Sequence, residues 1–189
     1  MGYVLKVDTQ PEVAPGLKFI GPDYDNLYRL NSGVSFDPEM VPKAALLFTR
    51  HPAIPDVFPL ISAVGCSERF RNLVRRYDPE AAEFFPLAIE KSESDVLDEK
   101  FYIINIVQRF DALDIHNSRN IKLKKNSMGN TISSGGQNHN DLCMDESIIG
   151  DRHLWIGDNY FSSRIFLSET LGDAMKARKI TGFDLIHTR

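Results

Sequence analysis

The sequence predicts an α+β fold: a mixed or mostly antiparallel sheet with a few short amphipathic helices, built around two similar strand–helix–strand units. Two observations carry this expectation. A pattern of apolar run, Ser–Glu pair, amphipathic stretch and second apolar run occurs twice, around Ser67–Glu68 and again around Ser168–Glu169. In addition, Phe101-Tyr102-Ile103-Ile104-Asn105-Ile106-Val107 is β-branched or aromatic almost throughout, the composition of a central strand buried on both faces.

Taken in order, Tyr3 to Val7 is a first strand. Prolines and glycines from Pro11 to Pro42 then deny the backbone donors or permit unusual dihedrals, so turns and short edge strands are expected there. Ala44 to Phe48 is an apolar run too short to type by periodicity. Pro52, Pro55 and Pro59 mark an extended connection into the first repeat unit. Phe70, Leu73, Val74 and Tyr77 fall at i, i+3, i+4 and i+7, one face of a helix, with arginines on the other faces. Ser67 is the residue type an N-cap demands, Asp78–Pro79 ends the helix, and Glu80 to Ala82 leave room for one further turn. Glu90 to Lys100 and Lys124 to Asp141 read as loops, the second a mobile one. Residues 1–54 are therefore expected as irregular strands and turns packing on a main body, 55–189, which carries the loop 124–141. Body and N-terminal region form one continuous domain or two lobes.

A chain of 189 residues with 42% hydrophobic and 25% charged residues can bury a sizeable core without disulfides or metal. Its net charge of −4 argues against a nucleic-acid or anionic-membrane partner, since both require a basic face. The two cysteines, Cys66 and Cys143, stand in unrelated contexts, and no segment reaches the ~20 apolar residues of a membrane span. Met1 to Asp8 is too short an apolar run for a signal peptide. A cytoplasmic location is the simplest expectation.

Reactive chemistry is hard to find. His51, His116, His139, His153 and His187 are scattered, with no pair at metal-ligand spacing, and Asn138 to Asp141 with Cys143 makes a poor ligand set. No nucleophile elbow or phosphate-binding glycine loop stands in the right context. Asp111 and Asp114 read as turn caps rather than an acid–base pair. Arg69, Arg71, Arg75 and Arg76 could hold a phosphate or an acidic partner, or simply form a solvated helix face. No catalytic, cofactor-binding or metal-binding residue is assigned. The alternative is an enzyme of unknown reaction assembled around Asp111, Asp114, His116 and His153, or a regulatory binding module.

Three blocks in order carry a resemblance. They are Pro55-Asp56-Val57 through Ser67 to Leu73 and Glu83 to Leu87; then Phe101 to Val107 with Asp111-Ala112-Leu113-Asp114 and Ser118; then Phe166 to Leu171 with Ala174 and Ile180-Thr181-Gly182-Phe183. Together these resemble the bacterial immunity-protein family eleven of polymorphic and contact-dependent toxin systems, over roughly Pro55 to Asp184. The resemblance implies a non-enzymatic cytoplasmic protein that binds and neutralises a cognate toxin by steric occlusion. It transfers no catalytic residue and no interface residue. It implies only architectural roles: Ser67 and Ser168 as caps, Asp111 and Asp114 at a strand-end turn, and Gly182 where the last helix turns into its strand.

Overall fold

The computed structural model describes residues 2–10, 14–21, 27–49, 53–92, 95–125, 131–135, 141–157 and 164–188. Its strands begin with β1 (Gly2–Val7), β2 (Leu17–Ile20), β3 (Ala44–Leu47), β4 (Val57–Leu60) and β5 (Ala63–Ser67). Helix α1 (Glu68–Tyr77) follows, then β6 (Ala82–Ser92), β7 (Asp95–Val96), β8 (Phe101–Ile106) and β9 (Arg109–Phe110). Next come β10 (Ile121–Lys125), β11 (Thr131–Gly135) and the short α2 (Glu146–Ile149). The chain continues with β12 (Leu154–Gly157), β13 (Ile165–Ser168), α3 (Glu169–Ala177) and β14 (Phe183–His187). The mixed α+β class is as the sequence predicts.

Both Ser–Glu pairs open helices. Ser67 Oγ accepts the Phe70 amide at 3.3 Å and Ser168 Oγ accepts that of Leu171 at 3.2 Å, each satisfying an otherwise orphaned donor. Asp78 is the residue after α1, and Pro79 cannot continue the helix; the further turn expected at Glu80 to Ala82 does not form, because Ala82 already begins β6. α3 ends in a Schellman turn: Lys179 takes a left-handed φ of 52°, its amide donates to Lys176 O, and the Ile180 amide donates to Met175 O.

The two units match strand by strand. β5 and β6 both run antiparallel to β8, which lies between them, so α1 is a crossover joining two parallel strands around an inserted third. β13 and β14 flank β1 in the same way, with α3 as the crossover. The register is also shared. Ser67 faces Phe101, and Ser168 faces Gly2; Ala82 faces Ile106, and Phe183 faces Val7. No residue is inserted or lost between cap and second strand. An outer antiparallel strand completes each half, β4 on β5 and β12 on β13. The first strand of the chain thus serves as the middle strand of the C-terminal unit.

The halves also exchange contacts reciprocally. Asp56, just before β4, accepts Ser67 Oγ at 2.6 Å at the start of α1 and the Thr181 amide at 3.2 Å beyond the end of α3. On the other side His153, just before β12, sits at Ser168 with Nδ1 2.7 Å from Oγ, while its amide donates to Asp78 Oδ2, beyond the end of α1, at 2.7 Å. The N-terminus of each helix therefore lies beside the C-terminus of the other.

One inner core joins these pieces: Phe70, Leu73 and Val74 from α1, Leu171 and Met175 from α3, and the inner faces of both sheets, including Ile104, Ile106, Leu5 and Leu167. Each sheet has a second, outer core. Phe58 and Ile103 pack under Leu17, Leu27, Leu30, Val41 and Ala45. Trp155 and Val4 pack under Ala112, Leu142, Met144 and Ile149. The seven-stranded sheet is extended by β2 and β3, with β7 pairing on β6, and the five-stranded sheet by β9.

Three expectations change. The stretch from Glu90 is not all loop, because β6 continues to Ser92 and Glu90 pairs with Val96 of β7, which supplies partners for its backbone. Within 124–141, β11 pairs antiparallel with β10, Lys124 opposite Ile132, so the segment includes a hairpin strand; residues 126–130 and 136–140 lie outside the described residues. The connection before the first unit holds β4, an edge strand that tolerates Pro59 because no neighbour requires its amide.

Candidate functional site

The residues nominated for chemistry are occupied with local structure. Asp114 accepts the Asn117 amide at 3.1 Å and its side-chain amide at 2.6 Å, and those bonds hold its carboxyl below the ordinary aspartate value. Asp111 Oδ1 accepts the Leu113 amide at 3.2 Å. Both cap the turn that leads to Ser118, whose hydroxyl binds Asp114 O and receives the Cys143 amide. His116 lies on that exposed turn. His153 is elsewhere, held at the start of α3 by Ser168 and packed edge-on against Tyr77 with ring centroids 5.7 Å apart. Among the described residues no three of His, Cys, Asp and Glu are grouped closely enough to hold an ion, Asp111, Asp114, His116 and His153 included. His51 and His139 lie outside the described residues. Cys66 is fully buried, and burial pushes its thiol far above the usual range, away from the reactive thiolate.

Other motif residues fasten the fold. Asn105, fully buried in β8, accepts the Asn31 amide at 2.8 Å and donates to Val34 O at 2.8 Å and Glu83 Oε2 at 2.9 Å. It ties the segment after residue 30 to the central strand. Gly182 has φ +93°, and a Cβ there would lie 1.9 Å from Val57 O, so only glycine fits between α3 and β4.

What remains is surface. An apolar hollow of about 500 Å³ lies between the Val41–Lys43 segment, the middle of β6 and the start of β8. A second cleft, about 480 Å³, lies between α1 and the end of α3. Its floor is Leu73 and Ile180, and its walls carry Arg69, Asn72, Arg76 and Arg178. Arg69 Nη1 donates to Asp56 Oδ2 at 3.2 Å and Nη2 to Arg178 O at 2.8 Å, which fixes its guanidinium at one end. No carboxylate among the described residues pairs with Arg76 or Arg178. The helical arginines stood out in the sequence, but Arg178 did not, since 109 residues separate it from Arg69.

The nominated residues Asp111, Asp114 and His153 are thus engaged in caps and turns, and the described surface offers clefts. A family model, the Immunity protein family (Imm11), matches residues 31–188, and the chain belongs to that family. The match begins at Asn31, where Asn105 clamps the chain, and so reaches further toward the N-terminus than the three sequence blocks. No curated protein matches the chain. Among the described residues no helix is long and apolar enough to cross a membrane.

Proposed function

We propose that this protein binds a cognate toxin and neutralises it by steric occlusion, acting in the cytoplasm without catalysis. Membership of the immunity family over residues 31–188 is the observation that carries the reading. The engagement of Asp111, Asp114 and His153 in caps and turns supports it, because a binding scaffold needs those groups for shape and not for proton transfer. The inner core shared by both halves makes a preorganised platform, which lowers the ordering cost of association. A stable complex of this kind buries about 1,600 Å² in total. The complex is proposed to recruit the segments 90–99 and 124–141.

The test is co-expression with the toxin encoded beside this gene. Cells making the toxin should arrest alone and grow when this protein is present, and the two purified proteins should form a complex of fixed stoichiometry. Equal growth with and without this protein would end the proposal. Alanine at Asp111, Asp114, His116 and His153 should lower stability or change nothing; loss of protection in a fully folded variant would favour an enzyme instead.

A further inference from the structure

The two strand–helix–strand units provide an internal control for what the fold requires. Where architecture dictates a residue, both copies keep its type: the serine caps Ser67 and Ser168, the first-turn Glu68 and Glu169, and an apolar Phe70 and Leu171 one turn inward. The middle strands likewise both present a tyrosine beneath a cation. The cations come from different helix positions: Arg71, the counterpart of Gly172, lies over Tyr102 with its guanidinium carbon 4.5 Å from the ring centroid, and Lys176, the counterpart of Arg75, over Tyr3 at 4.0 Å. In the same register, however, Arg69, Asn72, Leu73 and Arg76 of α1 correspond to Thr170, Asp173, Ala174 and Ala177 of α3. The fold works with an uncharged or acidic stripe at this position, so it does not demand Arg76, whereas Arg69 also serves the buried Asp56.

We propose that the cleft walled by Arg69, Arg76 and Arg178 is a docking site for an acidic segment of the toxin. The inference rests on the toxin-binding reading above and assigns it a place and a chemistry. Arg69, Asn72, Leu73 and Arg76 fall at i, i+3, i+4 and i+7, one stripe in which the two arginines stand about 10 Å apart along the helix. Arg178 faces them from the end of α3, and the nearly buried Leu73 and Ile180 form an apolar floor. The matching ligand is a segment with carboxylates about two helical turns apart and an apolar side chain between them. Arg69 is already oriented by Asp56 and the Arg178 carbonyl, so part of the ordering cost is met before contact. Arg76 and Arg178 keep guanidinium donors open for bidentate carboxylate bonds. A net charge of −4 over the whole chain disfavours a polyphosphate backbone but tolerates two or three local ion pairs.

The experiment measures binding of the adjacent gene's toxin domain to wild type, to the double variant Arg76→Glu with Arg178→Glu, and to Arg75→Glu. Arg75 is a matched control: it is exposed on the same helix but lies over Phe84 outside the cleft, 5.6 Å from the ring centroid. Circular dichroism melts check that each variant folds. The double variant should bind at least about 100-fold more weakly and fail to protect cells, while Arg75→Glu stays within about threefold of wild type. A double variant within about threefold of wild type, or an Arg75→Glu loss as large as that of the double variant, would overturn the cleft while leaving toxin binding intact. Failure of wild type to bind would overturn both, and is read on wild type alone. Retention of a uridine oligonucleotide by wild type and its release by the double variant would reassign the cleft to nucleic acid.

Discussion

The N-terminal unit, β4 to β6 with β8, and the C-terminal unit, β12 to β14 with β1, share strand order, register and capping, yet they differ in what covers them. Phe58 and Trp155 occupy the same place, the second residue of the outer strand, and both are buried away from the helices. Phe58 is covered by the chain around Leu17 to Ala45, and Trp155, stacked on Phe166 at 5.8 Å, by the chain around Ala112 to Ile149. One framework therefore supports two unrelated outer layers. The comparison separates positions set by packing, which recur, from positions free to serve a partner, which diverge.

The largest effects should come from breaking this equivalence at its core. Phe58→Ala and Trp155→Ala should each cost about 3–5 kcal/mol, measured by denaturant unfolding, because each leaves a cavity its sheet cannot close. If one costs little, the two outer layers do not bear equally on the fold. Gly182→Ala comes next, at about 3 kcal/mol, since it combines a strained positive φ with a clash against Val57 O; thermal unfolding reads the loss. Its counterpart in the first unit is Ala81, which already carries a Cβ, so Ala81→Gly should cost only about 1 kcal/mol.

Ser67→Ala and Ser168→Ala should each cost about 0.5–2 kcal/mol, with Ser67 the larger because its loss also strips a partner from the buried Asp56. Equal losses would mean that His153 serves its cap as fully as Asp56 serves the other. The smallest effect is acidic. The Tyr3 hydroxyl, donating to Asp173 at 2.9 Å, and then Lys176 hold the Asp173 carboxyl below its ordinary value of 3.8. A depressed carboxyl stabilises the fold above its unfolded pKa and loses that contribution as pH falls through the folded one. Asp173→Asn should therefore be slightly less stable than wild type at neutral pH, and the gap should close below about pH 3.8.

The repeated unit was legible because caps and 3.6-residue periodicity are local signals, and both appear where Ser67 and Ser168 stand. The place of β1 was not. Its short apolar run marks a strand but cannot name partners more than 150 residues away in the sequence, Leu167 and Leu185 among them. β11 was missed for a related reason: Ser133, Ser134 and Gly135 have loop composition, and only pairing with β10 makes them extended. The reading of Asp111 and Asp114 as caps followed from turn chemistry, which depends on nearest neighbours, whereas that of Gly182 came only with the family resemblance. The arginine cleft needed the approach of α3, whose Arg178 no helical periodicity could bring to Arg69.

The placement of β1 also sets an order of events during synthesis. Gly2 to Val7 leaves the ribosome well before either of its neighbours, β13 (Ile165–Ser168) and β14 (Phe183–His187), has been made. At about 5–20 residues per second, this apolar segment waits roughly ten to thirty seconds with its backbone unpaired. Over that interval its unpaired edges are open to a foreign strand, and the five-stranded sheet closes only once β13 and β14 have emerged.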